Sequence, residues 1–137
     1  MLVVDDFKDY EIIDSSNGMK LERWGNIYLL RPDPQVIWDN GNLLEKYPNI
    51  HAVYYRSNKG GGHWENLRKT PANWEISYRD LTFNIKQMGF KHTGLFPEQA
   101  INWRYMIDKI QNSHRPIKVL NLFAYTGGAT VACLRAG

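Results

Sequence analysis

Ile117-Lys118-Val119-Leu120-Asn121-Leu122-Phe123-Ala124-Tyr125-Thr126-Gly127-Gly128 is the stretch whose reading decides the fold of this chain. Residues 117–123 form a compact apolar run of the kind that makes a buried strand of a parallel sheet. Ala124 to Gly128 supplies the small residues of a tight turn, and Ala129 to Ala136 continues as a short apolar helix. Strand, glycine turn and helix are the opening of a β-α unit. Such a unit brings backbone N–H groups and a helix N-terminus to the carboxyl end of a strand, where glycine lets a ligand approach closely. The spacing is neither the G-x-G-x-x-G dinucleotide fingerprint nor the G-x-x-x-x-G-K-[ST] phosphate loop. From the residues alone, Gly127 and Gly128 fit ligand binding and a plain strand-to-helix connection equally well. One strand is not a sheet, so the expectation is a chain that stops at Gly137 before a complete catalytic domain is built.

Immediately upstream, Ala100, Trp103, Ile107 and Ile110 recur at spacings of three and four, with Met106 beside them. This spacing predicts an amphipathic helix from Pro97 to about Asn112, with Pro97 in the first turn, where its missing N–H does no harm. Arg104 and Asp108 stand one helical turn apart and are expected to pair. Ser113-His114-Arg115-Pro116 then forms a short linker.

Farther back the period changes to two. Asn17-Gly18 between Tyr10–Asp14 and Met19–Trp24 predicts a hairpin, because both turn residues tolerate positive φ. Gly25-Asn26 offers a second reversal before Ile27–Leu30, and Arg31-Pro32-Asp33-Pro34 ends the pairing. Asp39-Asn40-Gly41-Asn42 reads as a loop, Val53–Arg56 as a strand, and Ser57–Gly62 as a glycine-rich loop. Trp74, Ile76 and Tyr78, then Leu81, Phe83 and Ile85, alternate as two further strands. The expected class is thus an α+β fragment. It has a small β-rich module over 1–90, a linking segment and helix over 91–116, and the truncated start of a β-α domain over 117–137.

Composition supports a globular chain: of 137 residues, 43% are hydrophobic and 23% charged. Cys133 is the only cysteine, which rules out an intrachain disulfide and a cysteine-rich zinc site. No basic leader with a long apolar run, and no stretch near the roughly 20 apolar residues of a membrane span, is present, so a cytoplasmic location without membrane contact is expected. Seventeen Lys and Arg against fourteen Asp and Glu leave a net charge of +3, a balance that permits nucleic-acid contact without requiring it.

Asn121 to Gly128 resembles the cofactor-binding first motif of class I S-adenosylmethionine-dependent methyltransferases, specifically the subgroup with bacterial 23S rRNA cytosine-5 and guanine methyltransferases. Lys91-His92-Thr93-Gly94-Leu95-Phe96-Pro97-Glu98-Gln99 is similar to the segment this subgroup places just before its catalytic domain, and Leu21–Gly25 and Arg31–Gln35 extend the likeness more weakly. The resemblance implies a Rossmann-like donor-binding domain beginning at 117, S-adenosyl-L-methionine as cofactor, and ribosomal RNA as methyl acceptor. It places Asn121, Phe123, Ala124, Tyr125, Thr126, Gly127 and Gly128 around the methionine part of the donor, with Phe96 and Gln99 as a wall beside it. Where the subgroup shows Lys-Thr-Gly followed by Asp-x-Arg, this chain has His92-Thr93-Gly94 and Glu98-Gln99-Ala100. No residue is singled out as catalytic, and the 137 residues alone are expected to be inactive. A small-molecule or protein methyltransferase, and a noncatalytic RNA-binding or assembly module, are the alternatives.

Simpler roles compete at each position. Phe96 and Tyr125 suit packing as well as pocket lining, Glu98 suits a helix N-terminus, and a local turn bond would satisfy Thr126. Arg56, Lys59 and Trp64 could together meet RNA, cations on phosphate and the ring on a base. His51, His63, His92 and His114 show no metal-ligand spacing, and no metal is expected. Cys133, within the apolar helix, reads as a small buried thiol and not a nucleophile.

Overall fold

The computed structural model describes residues 1–137. Its first sheet begins with β1 (Tyr10–Ser16) and β2 (Met19–Trp24), antiparallel and closed by Asn17 and Gly18. Both turn residues have positive φ, 49° and 75°, as a two-residue hairpin requires. Gly25 (φ 64°) makes the next reversal into β3 (Ile27–Pro32). The chain crosses over through the one-turn helix α1 (Leu43–Lys46), capped by the Asn42 side chain, and returns as β4 (Ala52–Arg56), parallel to β3. A fifth strand, β5 (Gly62–Asn66), pairs antiparallel with β4, so the order is β1-β2-β3-β4-β5. The glycine-rich segment before β5 is therefore a hairpin loop, and Gly62-His63-Trp64-Glu65-Asn66 is a strand its polar composition did not announce.

Neighbouring residues of a strand face opposite ways, and two cores result. Leu21, Leu30 and Val53 face Leu43 and Ile50 on one side. Trp24, Leu29 and Ala52 face the other, where they join Ile76, Tyr78, Leu81, Phe83 and Ile85 of a second sheet made by β6 (Trp74–Tyr78) and β7 (Leu81–Ile85). A 3₁₀ turn (Pro97–Gln99) then leads into α2 (Ala100–Gln111), which buries Ala100 and Trp103 in this same core, and α3 (Gly128–Ala136) adds Ala132. No helix is long and apolar enough to cross a membrane.

Two expectations need correction. Residues 117–123 are not a strand: they pair with no other strand, and Leu120, Leu122 and Phe123 are exposed. A strand exists only through hydrogen bonds to a neighbour, and none of the seven strands lies alongside this run. The α+β character holds, whereas the buried parallel strand is absent. Arg104 does not pair with Asp108. It reaches the N-terminal segment instead, at 3.7 Å from Asp5 and 3.9 Å from Asp6, and donates to the Val3 carbonyl at 3.2 Å.

Asp14, next to an irregularity in the β1–β2 register, accepts from Lys46 Nζ at 2.7 Å and Tyr47 Oη at 2.8 Å, tying α1 to the sheet. These bonds hold its carboxyl down at about 2. The unfolded carboxyl titrates near ~3.9. A depressed carboxyl contributes stability that is complete above the unfolded value and lost as pH falls toward the folded one. The stability gap between the native protein and Asp14→Asn, read from urea unfolding, should therefore be full at about pH 6 and close between about pH 4 and pH 2. A gap that stays constant over that interval would contradict the assignment.

Candidate functional site

Residues 86–96 carry the chain from β7 to α2 and pass beside the glycine turn. Thr126 donates its hydroxyl proton to the Gly94 carbonyl, which joins turn and segment. Phe96 stacks on Tyr125 with ring centroids 4.7 Å apart and planes 27° apart, and His92 meets both rings edge-on. On the far side, Asn121 donates from Nδ2 to Thr130 Oγ1 at 2.9 Å, holding the start of the turn against α3. Gly127 precedes α3 in the left-handed region (φ 91°), a conformation that favours glycine. Gly128 is needed for a different reason: a Cβ there would lie 3.2 Å from Trp103 Cζ2 and 3.4 Å from Leu95 Cδ1.

These contacts surround a cavity of about 330 Å³. Phe96, Gln99, Asn121, Phe123, Ala124, Tyr125, Thr126 and Gly128 all line it, so every expected donor-site residue except Gly127 faces one space. Gly127 shapes the turn from behind. Leu95, Glu98, Trp103, Leu122 and Ala129 complete the lining. Trp103 had shown itself in the sequence only as one member of an apolar helical stripe, a pattern that identifies core and not cavity. The size is at the low end of the roughly 300–1,000 Å³ typical of small-molecule sites.

The electrostatics are simple. Burial, followed by the positive charges of Arg31, Lys91 and Lys20, lowers the pKa of His92, so its imidazole is neutral near pH 7. Glu98, exposed at the cavity wall, is the acidic group of the lining. Cys133 is half-buried with its sulfur 3.8 Å from Met106 Sδ, and burial pushes the thiol up, which agrees with the reading of an inert thiol. Trp64 does not offer the free ring expected of an RNA platform. Its indole N–H donates to the Met88 and Phe90 carbonyls at 2.9 and 3.2 Å, and its ring packs edge-on against Tyr54.

Comparison with known proteins bears on this arrangement of residues. No protein-family model matches the chain. The S-adenosylmethionine-dependent methyltransferase of Agrobacterium tumefaciens has a crystal structure that matches 94% of this chain and 41% of its own, with a TM-score of 0.85 and 34% identity. The chain resembles the S-adenosylmethionine-dependent methyltransferases. The ribosomal RNA large subunit methyltransferase K/L of Allochromatium vinosum is 35% identical over 82 residues, 60% of this chain and 11% of that protein. The methyltransferase likeness thus reaches from fold to sequence, while the chain spans less than half the length of either relative. SMU.776, whose crystal structure holds SAH, shares the fold at a TM-score of 0.61 and 20% identity, over 97% of this chain and 37% of its own.

Proposed function

We propose that this chain forms part of an S-adenosylmethionine-dependent methyltransferase acting on ribosomal RNA, and that the cavity between Phe96, Gln99 and the 121–128 turn is one wall of its donor site. The observation that carries the reading is the convergence of eight expected donor-site residues from two separate segments on that one cavity. In this reading residues 1–90 help position the acceptor, 91–116 link, and 117–137 begin a Rossmann-like donor domain in which Ile117–Phe123 pairs with further strands. The acceptor class rests on the likeness to the ribosomal RNA methyltransferase K/L.

The residues fit the donor. Stacked rings of Phe96 and Tyr125 present an apolar face suited to the adenine or thioether parts, and aromatic faces also attract a sulfonium cation. Gln99 and Asn121 offer amide donors and acceptors, and Glu98 a carboxylate for the donor's ammonium group. S-adenosylmethionine brings an electrophilic methyl group on sulfur. What this chain contributes is orientation: the Thr126–Gly94 hydrogen bond and the Trp103–Gly128 contact hold both walls at fixed separation, which favours one approach of methyl to acceptor.

Isothermal titration of the full-length protein with S-adenosylmethionine should show one saturable site. A folded protein giving no specific heat would end the reading. Methyl transfer to ribosomal RNA, and not to small molecules or proteins, is the expected acceptor result. Phe96→Ala should weaken donor binding about tenfold, since a stacked base is worth about 1–3 kcal/mol. An unchanged Kd in the folded variant would move Phe96 out of the site. Because Ile117–Phe123 has no paired neighbour in residues 1–137, these residues alone should give no multiple turnover.

A further inference from the structure

Four cations from distant parts of the chain gather toward one end of the first sheet. Lys20 of β2 sits opposite Arg31 of β3 in the register, and Arg31 donates from Nη1 to the Lys91 carbonyl at 3.0 Å. Lys91 in turn points its ammonium at the Pro32 carbonyl, 3.4 Å away. Arg56 ends β4, the parallel neighbour of β3, and together with Pro32 borders a cavity of about 710 Å³. The acids available to this group are few. Glu22 is consumed by Arg31, and Asp33 is shared with Lys20 at 3.5 Å. Neither Arg56 nor Lys91 has a carboxylate within salt-bridge reach.

We propose that Lys20, Arg56 and Lys91 form a phosphate-binding surface that holds the backbone of an RNA strand beside the donor cavity; the proposal rests on the RNA methyltransferase reading above. Like charges gathered with so little compensation favour a polyanion, because its phosphates relieve their mutual repulsion and release counterions. Mutual repulsion is felt at Lys91, whose ammonium loses protons more readily through burial and through Arg56, Lys20 and Arg31. One aromatic side chain lies alongside: Tyr55, exposed at the end of β4, borders the same cavity as Arg56. A ring beside cations suits a nucleic acid, phosphate on the cation and base on the ring, and an acidic peptide has no base to use the ring. The surface also leads to the proposed chemistry. His92, the residue after Lys91, meets Phe96 and Tyr125 at the donor cavity, so a strand held on Lys91 has its neighbouring nucleotide near that wall.

The test is fluorescence anisotropy of a labelled single-stranded RNA with the full-length protein, from about 50 to about 200 mM salt. Each of Lys91→Gln and Arg56→Gln should reduce the slope of log K against log salt by about 0.7, the value for one contact to a single strand. The double variant should bind at least about tenfold more weakly, a loss of about 1.4 kcal/mol. Lys91→Arg should keep the native slope, and so should Lys109→Gln, whose ammonium sits over the Tyr105 ring on α2. Variants that melt like the native protein yet keep its slope would overturn the surface, as would equal binding of polyglutamate and RNA. Calorimetry with S-adenosylmethionine on the native protein and the same variants separates the two readings: no donor binding by the native protein defeats the methyltransferase assignment, whereas an unchanged RNA slope in the variants defeats only this surface.

Discussion

Glu22→Ala should lower the free energy of unfolding by about 3–5 kcal/mol, the usual cost of stranding one member of a buried ion pair. Glu22 is 0% and Arg31 5% exposed. The guanidinium donates from Nε and Nη2 to the two carboxylate oxygens at 2.5 and 2.9 Å, a bidentate arrangement, and lies 5.4 Å from the Trp24 ring centroid. Tyr10 donates its hydroxyl to the same carboxylate, and burial together with that carboxylate pushes the phenol well above its ordinary range. Without Glu22 the guanidinium keeps its charge but loses its counter-ion and has no route to water. The contrast is Lys46→Ala, which breaks the pair to Asp14 with a half-exposed ammonium that water screens, and which should cost far less than Glu22→Ala. Urea unfolding of both variants gives the comparison. A loss below about 1 kcal/mol for Glu22→Ala would mean that water reaches Arg31 after all. Glu22→Leu combined with Arg31→Met should recover most of the loss, because removing both charges leaves none unpaired.

Trp103→Ala should cost a similar amount, about 3–5 kcal/mol, through the cavity it leaves. The indole is 2% exposed. Its ring lies 5.0 Å from Phe83, 5.9 Å from Tyr78 and 6.4 Å from Phe7, so it joins α2 to the second sheet and to the N-terminal segment. It also supports Gly128, and through it the turn that lines the donor cavity. Two measurements follow. Urea unfolding reads the global loss, and amide exchange should quicken over residues 128–136, because α3 rests on α2. Exchange that quickens only in β6 and β7 would show that α3 has another anchor. Gly128→Ala approaches the same contact from the other side. The added methyl must displace Trp103 or Leu95 by a few tenths of an ångström, and a loss of about 1–3 kcal/mol is expected.

Local chemistry made much of this legible. Asn17-Gly18 and Gly25 are turns because of backbone preferences that belong to those residues, and the stripe through Ala100, Trp103 and Ile107 marks a helix whatever its neighbours. The alternation of Trp74, Ile76 and Tyr78 with Leu81, Phe83 and Ile85 likewise survives intact in β6 and β7. The cavity-lining residues were found through resemblance and not through period or spacing, since glycines at a turn do not reveal what lies opposite them. β5 was missed because Gly62–Asn66 is mostly polar and becomes a strand by pairing with β4.

By itself the sequence determined the Asn17-Gly18 and Gly25 turns, helices α2 and α3, the alternation of β6 and β7 and, by resemblance, a set of donor-site candidates of which eight line one cavity. Tertiary structure alone decided that Ile117–Phe123 finds no strand partner within residues 1–137, that Glu22 and Arg31 are buried together, and that Arg31, opposite Lys20, reaches the Lys91 carbonyl. Turns and helices close their hydrogen bonds within a few residues, so their rules are written locally. Strand pairing, ion-pair burial and charge clustering depend on partners far along the chain, and only the folded chain says which residues those are.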